Sequence, residues 1–160
     1  NNYGNSCQRV FSFIKKNCNN KIPKKNKLDK KDEIFLDNLQ NNIDKLIKLM
    51  DQQNLNEYIK IVVGFSFEAN KYFNDSEPWA VKKKDPERMN SILNTVTQQI
   101  KNVSILLYPI IPKSTIKVLK TININEPDIK ISNILNQNIL DYDTELKDLE
   151  ILFTKIENDN

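Results

Sequence analysis

The chain has 160 residues, a net charge of +3, 39% hydrophobic and 28% charged residues, which describes one compact soluble domain with room for a sizeable core. The absence of histidine excludes imidazole acid–base or triad chemistry within it, and two cysteines without a CxxC pair supply no zinc ligand set, so no metal site is expected. Two glycines and six prolines favour helices over a turn-rich β fold.

Residues 3–19 are expected to form an amphipathic helix: Tyr3, Cys7, Val10, Phe11, Ile14 and Cys18 fall in one arc, and Asn5, Arg9, Ser12 and Lys16 in the opposite one. Cys7 and Cys18 are then about 16 Å of helical rise apart and cannot bridge each other. Free thiols suit a reducing cytosol. The lysine-rich connector KIPKKNKLDKK, 21–31, reads as a solvated loop broken by Pro23. Asp32 can cap a second helix running to residue 53, with Ile34, Phe35, Leu39, Ile43, Leu46, Ile47 and Met50 inward. A third helix, 55–73, is apolar over much of its circumference and is expected to be central, with Gly64 at a close helix approach.

Asp85 and Pro86 read as the N-cap and first position of a fourth helix, 86–108, which Pro109 and Pro112 end. A fifth helix is expected over 113–121 and a short helical piece within 126–139. The end, LDYDTELKDLEILFTKIENDN, mixes acidic residues with an apolar cluster, Leu149, Ile151, Leu152, Phe153 and Ile156, that is expected to dock on a partner surface. The fold class is therefore all-α: a bundle of about five helices over 1–140, with a C-terminal tail over 141–160. The longest apolar stretch, VSILLYPIIP, is about half a membrane span and holds Pro109, so no membrane partner is expected. The chain opens in a helix without an initiating Met or a signal peptide, as expected of a piece of a longer cytoplasmic protein.

Three features rise above the background composition. Asn5 and Arg9, one helical turn apart, can offer an amide and a guanidinium to a base edge, or can be an ordinary solvated face. Trp79, in NDSEPWAVKK, follows Asp75 or Ser76 as a cap for a short helical turn with Glu77 and Pro78 in its first positions. Its ring is either a stacking platform for an unpaired base, with Lys82, Lys83, Lys84 and Arg88 near enough to neutralise phosphates, or a plug at the end of the bundle. The carboxylates Asp141, Asp143, Glu145, Asp148 and Glu150 lack calcium-loop spacing and read as a solvated tail.

Four segments together resemble one family. GNSCQRVFSFIKKN at 4–17 is similar to a first helix of the form GNLxxRVxxxxxK. EANKYFNDSEPWAVKKKDPERM at 68–89 is similar to AN-x-Y-x(4)-PW followed by a lysine and an acidic helix start. LLYPIIPKSTIKVL at 106–119 and LEILFTKIE at 149–157 resemble an L-x-P-x-x-P segment and a closing LFPRI sequence. In order and spacing they resemble the C-terminal anticodon-binding domain of methionyl-tRNA synthetases, which are class I aminoacyl-tRNA synthetases.

The resemblance implies recognition of the CAU anticodon of methionine tRNA as part of a methionine–tRNA ligase. It implies that Asn5 and Arg9 contact the first anticodon base, a cytosine, and that Trp79, after Pro78, stacks on it. Asn70 and Tyr72 match the AN-x-Y residues and are expected to shape the site or the helix junction. The tail is expected to fold back toward an N-terminal catalytic domain. The family's HIGH-like and KMSKS-like signatures and zinc-binding cysteines are absent from these residues. Methionine activation, with ATP and Mg, is therefore expected to lie N-terminal to residue 1, with no cofactor in this fragment and no DNA partner. Thr154 and Lys155 depart from the usual Pro and Arg of the tail, and Cys7 from a larger apolar residue. An alternative is a helical protein-interaction module that uses the apolar tail as its partner surface.

Overall fold

The structure, a computed structural model, describes residues 2–26 and 29–149. The described residues form eight α-helices in chain order: α1 (Asn2–Asn17), α2 (Lys30–Gln40), α3 (Ile43–Asp51), α4 (Leu55–Ser76), α5 (Pro78–Val81), α6 (Pro86–Leu107), α7 (Pro112–Thr121) and α8 (Ser132–Leu135). Single 3-10 turns cover Glu126–Asp128 and Gln137–Ile139. The fold is all-α, as the residue patterning predicts. Among the described residues the one extended pairing is an isolated antiparallel bridge between Lys21 and Glu145.

The stripe expected on α1 is the one that packs: Tyr3, Cys7, Val10, Phe11 and Ile14 are buried. Two local details of the next region differ from expectation. The cap of α2 is Asp29, whose side chain accepts from Lys31 N–H; Asp32 answers from the third helical position by accepting from the Asp29 N–H at 3.0 Å. The helix expected over 32–53 is also two helices. Asn42 Nδ2 donates to the Asn38 carbonyl at 2.7 Å, the acceptor that its own backbone N–H would use in a continuing helix. That N–H bonds Leu39 O instead, and the chain turns. The turn rotates the buried set to Leu36, Leu39, Ile43, Leu46 and Leu49, and leaves Ile34 60% exposed.

The central helix is α6, not the expected α4. Every residue from Ser91 to Leu107 is buried, polar ones included. Its apolar side meets α4 and α1. Its polar side is covered by the connector after α1 and by the segment after α7. There Asn94 Nδ2 donates to Pro23 O at 2.9 Å, Gln98 Nε2 to Gln137 O at 2.8 Å and Lys101 Nζ to Asn136 O at 3.1 Å. Sequence patterning treats such residues as surface, because the backbone carbonyls that their donors reach lie about 35 to 71 positions away. By contrast α4 keeps Phe67 59% exposed. Gly64 marks no close approach, since a Cβ built there meets nothing within 4 Å.

Residues 140–149 close on the same body. Leu140 and Leu146 join the core, and backbone bonds run from Ile22 to Thr144 O, from Asp143 to Ile22 O and from Leu146 to Asn20 O. Asp148 and Asp143 form exposed ion pairs with Lys15 and Lys21. The expected docking of Leu152, Phe153 and Ile156 lies outside the described residues.

Candidate nucleic-acid interface

Asn5, Arg9, Phe13 and Asn17 recur every four residues, so they run down one side of α1. Asn5 and Arg9 are exposed. The end of α4 lies alongside. Arg9 donates from Nη1 to Asn70 Oδ1 at 2.9 Å and from Nη2 to Asn74 Oδ1 at 2.7 Å, with its guanidinium 5.3 Å from the centre of the Phe73 ring. Asn70 and Asn74 are themselves one turn apart, which is why both reach a single guanidinium fork. Five N–H donors belong to that fork, and these two bonds use two of them. Flat, held at both tips and resting on a ring, it presents its remaining donors in a fixed orientation.

Trp79 reaches the same place from a sharp turn. Asp75 and Ser76, expected as caps of the next helical turn, are instead the last residues of α4. Glu77 reverses the chain with a left-handed backbone (φ 44°, ψ 57°), and buried Pro78 starts α5. Such a conformation in a residue with a side chain costs about 1 kcal/mol or more, so the surrounding packing imposes it. Trp79 is left 43% exposed, edge-on to Phe73 at 5.8 Å and 72°. Phe13 meets the same ring edge-on at 6.0 Å. Buried Phe73 thus underlies both the exposed Arg9 and the half-exposed Trp79. The tryptophan leans on the bundle without plugging it.

The basic residues divide. Lys82 Nζ donates to Asn17 Oδ1 at 2.6 Å, tying the end of α5 to α1. Lys83 and Lys84 are exposed in the turn before α6. Arg88, grouped with them in the sequence as a phosphate contact, is committed elsewhere: Nη1 and Nη2 both donate to the carboxylate of Asp32, the second at 2.9 Å. Tyr72 belongs to this junction too. Its hydroxyl donates to Asp32 Oδ1 at 2.7 Å and its ring stacks on Phe35 at 4.4 Å. Burial pushes the Asp32 carboxyl up, but hydrogen bonds from Arg88 and Tyr72 outweigh it and hold the carboxyl below its ordinary 3.8. Of the pair expected to shape the site or the junction, Asn70 therefore serves Arg9 and Tyr72 serves the junction of α2, α4 and α6.

Phe73 and Asn74 were not singled out from the sequence. The four-residue spacing of Asn70 and Asn74 was the available signal. Among the described residues no three His, Cys, Asp or Glu side chains gather to hold a metal ion, and no helix is long and apolar enough to cross a membrane.

A family model described as the anticodon binding domain of methionyl tRNA ligase matches residues 22–160. The methionine–tRNA ligase of Brucella suis biovar 1 (strain 1330) is 36% identical over 119 residues, covering 74% of this chain and 23% of that protein. That of Rickettsia felis (strain ATCC VR-1525 / URRWXCal2) is 29% identical over 162 residues, covering 99% of this chain and 32% of that protein. The free-state crystal structure of Mycobacterium tuberculosis methionyl-tRNA synthetase shares the fold, with a TM-score of 0.89 at 20% identity over 99% of this chain and 32% of that one. The chain thus spans roughly a quarter to a third of the length of these relatives. With a family match over most of its length, the chain belongs to the anticodon-binding domains of the methionyl-tRNA ligases.

Proposed function

We propose that this domain selects methionine tRNA by its CAU anticodon, on behalf of a methionine–tRNA ligase acting in the cytoplasm. Methionine attachment, with ATP and Mg, falls to a catalytic domain outside these residues, with which the C-terminal tail makes contact. The observation that carries the reading is the Arg9–Phe73–Trp79 surface. A guanidinium immobilised by Asn70 and Asn74 stands one ring away from a half-exposed indole. The indole offers a stacking face to an unpaired base, worth roughly 1–3 kcal/mol. Arg9, with Asn5 one turn before it, supplies directed hydrogen bonds to the edge of the stacked cytosine. Selectivity follows because a wrong base would leave those donors unpaired in the closed complex. Lys82, Lys83 and Lys84 lie where a phosphate backbone would pass.

Trp79 is the only tryptophan in the chain, so its emission reports directly on the site. Titration with an anticodon stem-loop bearing CAU is expected to quench it. The same stem-loop with its first anticodon base altered is expected to quench it at concentrations at least tenfold higher. Equal quenching by the two would refute the assignment.

A further inference from the structure

Beyond Trp79, at the C-terminal end of α1, lies a second concavity that the anticodon reading touches only through Lys82. It is a groove of about 630 Å³ between Asn17 and Cys18, the connector 19–24, the first turn of α6 and the segment at Tyr142 and Asp143. Three lysines line it, Lys21, Lys24 and Lys82, against one carboxylate, Asp143, which sits 3.6 Å from Lys21. It holds an aromatic ring as well: Tyr142 is 52% exposed, with Lys24 Nζ 5.4 Å from its centre. Cys18 adds no charge here, because burial pushes its thiol up to about 11 despite Lys82 nearby.

The groove is continuous with the Trp79 surface. Lys82 follows Trp79 by one turn and bonds Asn17, and Asn17 stands two turns beyond Arg9 on the same side of α1, about 12 Å of rise. That distance corresponds to between three and four base-stacking steps of about 3.4 Å. The walls are fixed. The antiparallel bonds between 20–22 and 143–146 join them, buried Ile22 anchors the connector, and Asn94 grips Pro23 O. A preformed wall lowers the ordering cost of binding.

We propose that this groove is a second RNA subsite. It takes the single-stranded nucleotides that flank the base stacked on Trp79, with Lys21, Lys24 and Lys82 neutralising their phosphates and the Tyr142 ring stacking on a base. Lysines interleaved with an aromatic face are the combination that single-strand binding requires. The proposal rests on the anticodon reading for the polarity and identity of the strand.

The test measures binding of the CAU stem-loop to this chain through Trp79 emission over a series of salt concentrations. A lysine that neutralises a phosphate on a single strand contributes about 0.7 to the slope of log K against log salt. A Lys21→Gln, Lys24→Gln double variant is expected to lose about 1.4 from that slope. Tyr142→Ala is expected to weaken binding about fivefold or more, while Tyr142→Phe, which keeps the ring, retains it. Thermal unfolding of each variant separates a binding loss from a folding loss. If slope and affinity stay at wild-type values while the CAU stem-loop still quenches selectively, the groove is not an RNA subsite and the anticodon reading stands. If no stem-loop quenches the wild-type chain selectively, both fall. Competition by polyglutamate, with none by oligouridylate at the variant-sensitive step, would reassign the groove to an acidic protein partner.

Discussion

Arg88 spans both oxygens of the Asp32 carboxylate and fixes the start of α2 to the start of α6. The carboxylate is completely buried and also accepts from Tyr72 on α4 and from the Asp29 N–H. Four donors satisfy one buried charge, and removing the guanidinium leaves that charge uncompensated. Arg88→Met is therefore expected to destabilise the fold by about 3–5 kcal/mol. Acid should act in the same direction. The unfolded carboxyl titrates near its ordinary 3.8 and the folded one lower, so its stabilisation is complete above 3.8 and is lost as pH falls through the folded value. Denaturant unfolding of wild type and Arg88→Met at pH 7 and pH 3 checks both statements. A loss below 1 kcal/mol at pH 7 would contradict the first.

Lys101 is a second buried charge site with a different resolution. Its side chain is fully buried, its amine donates to Asn136 O at 3.1 Å, and burial brings its pKa down to about 7 from 10.5. Between these values the unfolded chain binds a proton that the folded chain does not. Stability therefore rises with pH across that window, by an amount on the order of 5 kcal/mol, and flattens below pH 7. Lys101→Met preserves the volume and removes the titration, at the cost of one unpaired carbonyl. At pH 7 it is expected to be the more stable protein, and its advantage should shrink or reverse by pH 10. Parallel pH dependences of unfolding free energy for the two proteins would show that Lys101 stays charged in the fold.

Gly64 offers a substitution of the opposite sign. It lies in the interior of α4, where glycine costs about 0.5–1 kcal/mol relative to alanine through unfolded-chain entropy. Since an added Cβ would meet nothing within 4 Å, nothing offsets that cost. Gly64→Ala should raise stability by about that amount, read as a higher midpoint at unchanged denaturant slope. A lower midpoint would mean that the helix needs the glycine after all.

The sequence made some of this legible for physical reasons. The α1 stripe and the Asp85–Pro86 start of α6 depend on local periodicity and local capping, and both appear where expected. The break between α2 and α3 contains neither glycine nor proline; it depends on which donor wins the Asn38 carbonyl, a competition invisible to periodicity. The central position of α6 was hidden because Thr95, Gln98, Gln99, Lys101 and Asn102 read as a wet face. They become buried only when the distant 136–137 backbone and the 23–26 connector cover that side. At the candidate interface, Asn5, Arg9 and Trp79 stood out by helical spacing and by a tryptophan in a polar segment, and the resemblance supplied the roles expected of them. Arg88 was grouped with Lys82, Lys83 and Lys84 because they lie four to six residues before it, whereas its neighbour in space is Asp32.

Asn74 tests whether Arg9 works through a fixed orientation or through charge alone. In the free domain Asn70 and Asn74 each take one guanidinium N–H, so the fork is set before any base arrives. If its orientation reads the cytosine, Asn74→Ala should leave Arg9 charged yet let it swing, weakening CAU stem-loop binding by about 1 kcal/mol, roughly fivefold. Discrimination against an altered first base should fall by a similar factor. Asn74→Asp supplies the contrast: it keeps an acceptor for Nη2 and strengthens the clamp, but its negative charge lies against the incoming phosphates. Binding should therefore weaken mainly at low salt, with discrimination retained. If Asn74→Ala binds both stem-loops as wild type does, the clamp is structural and Arg9 acts as a mobile charge.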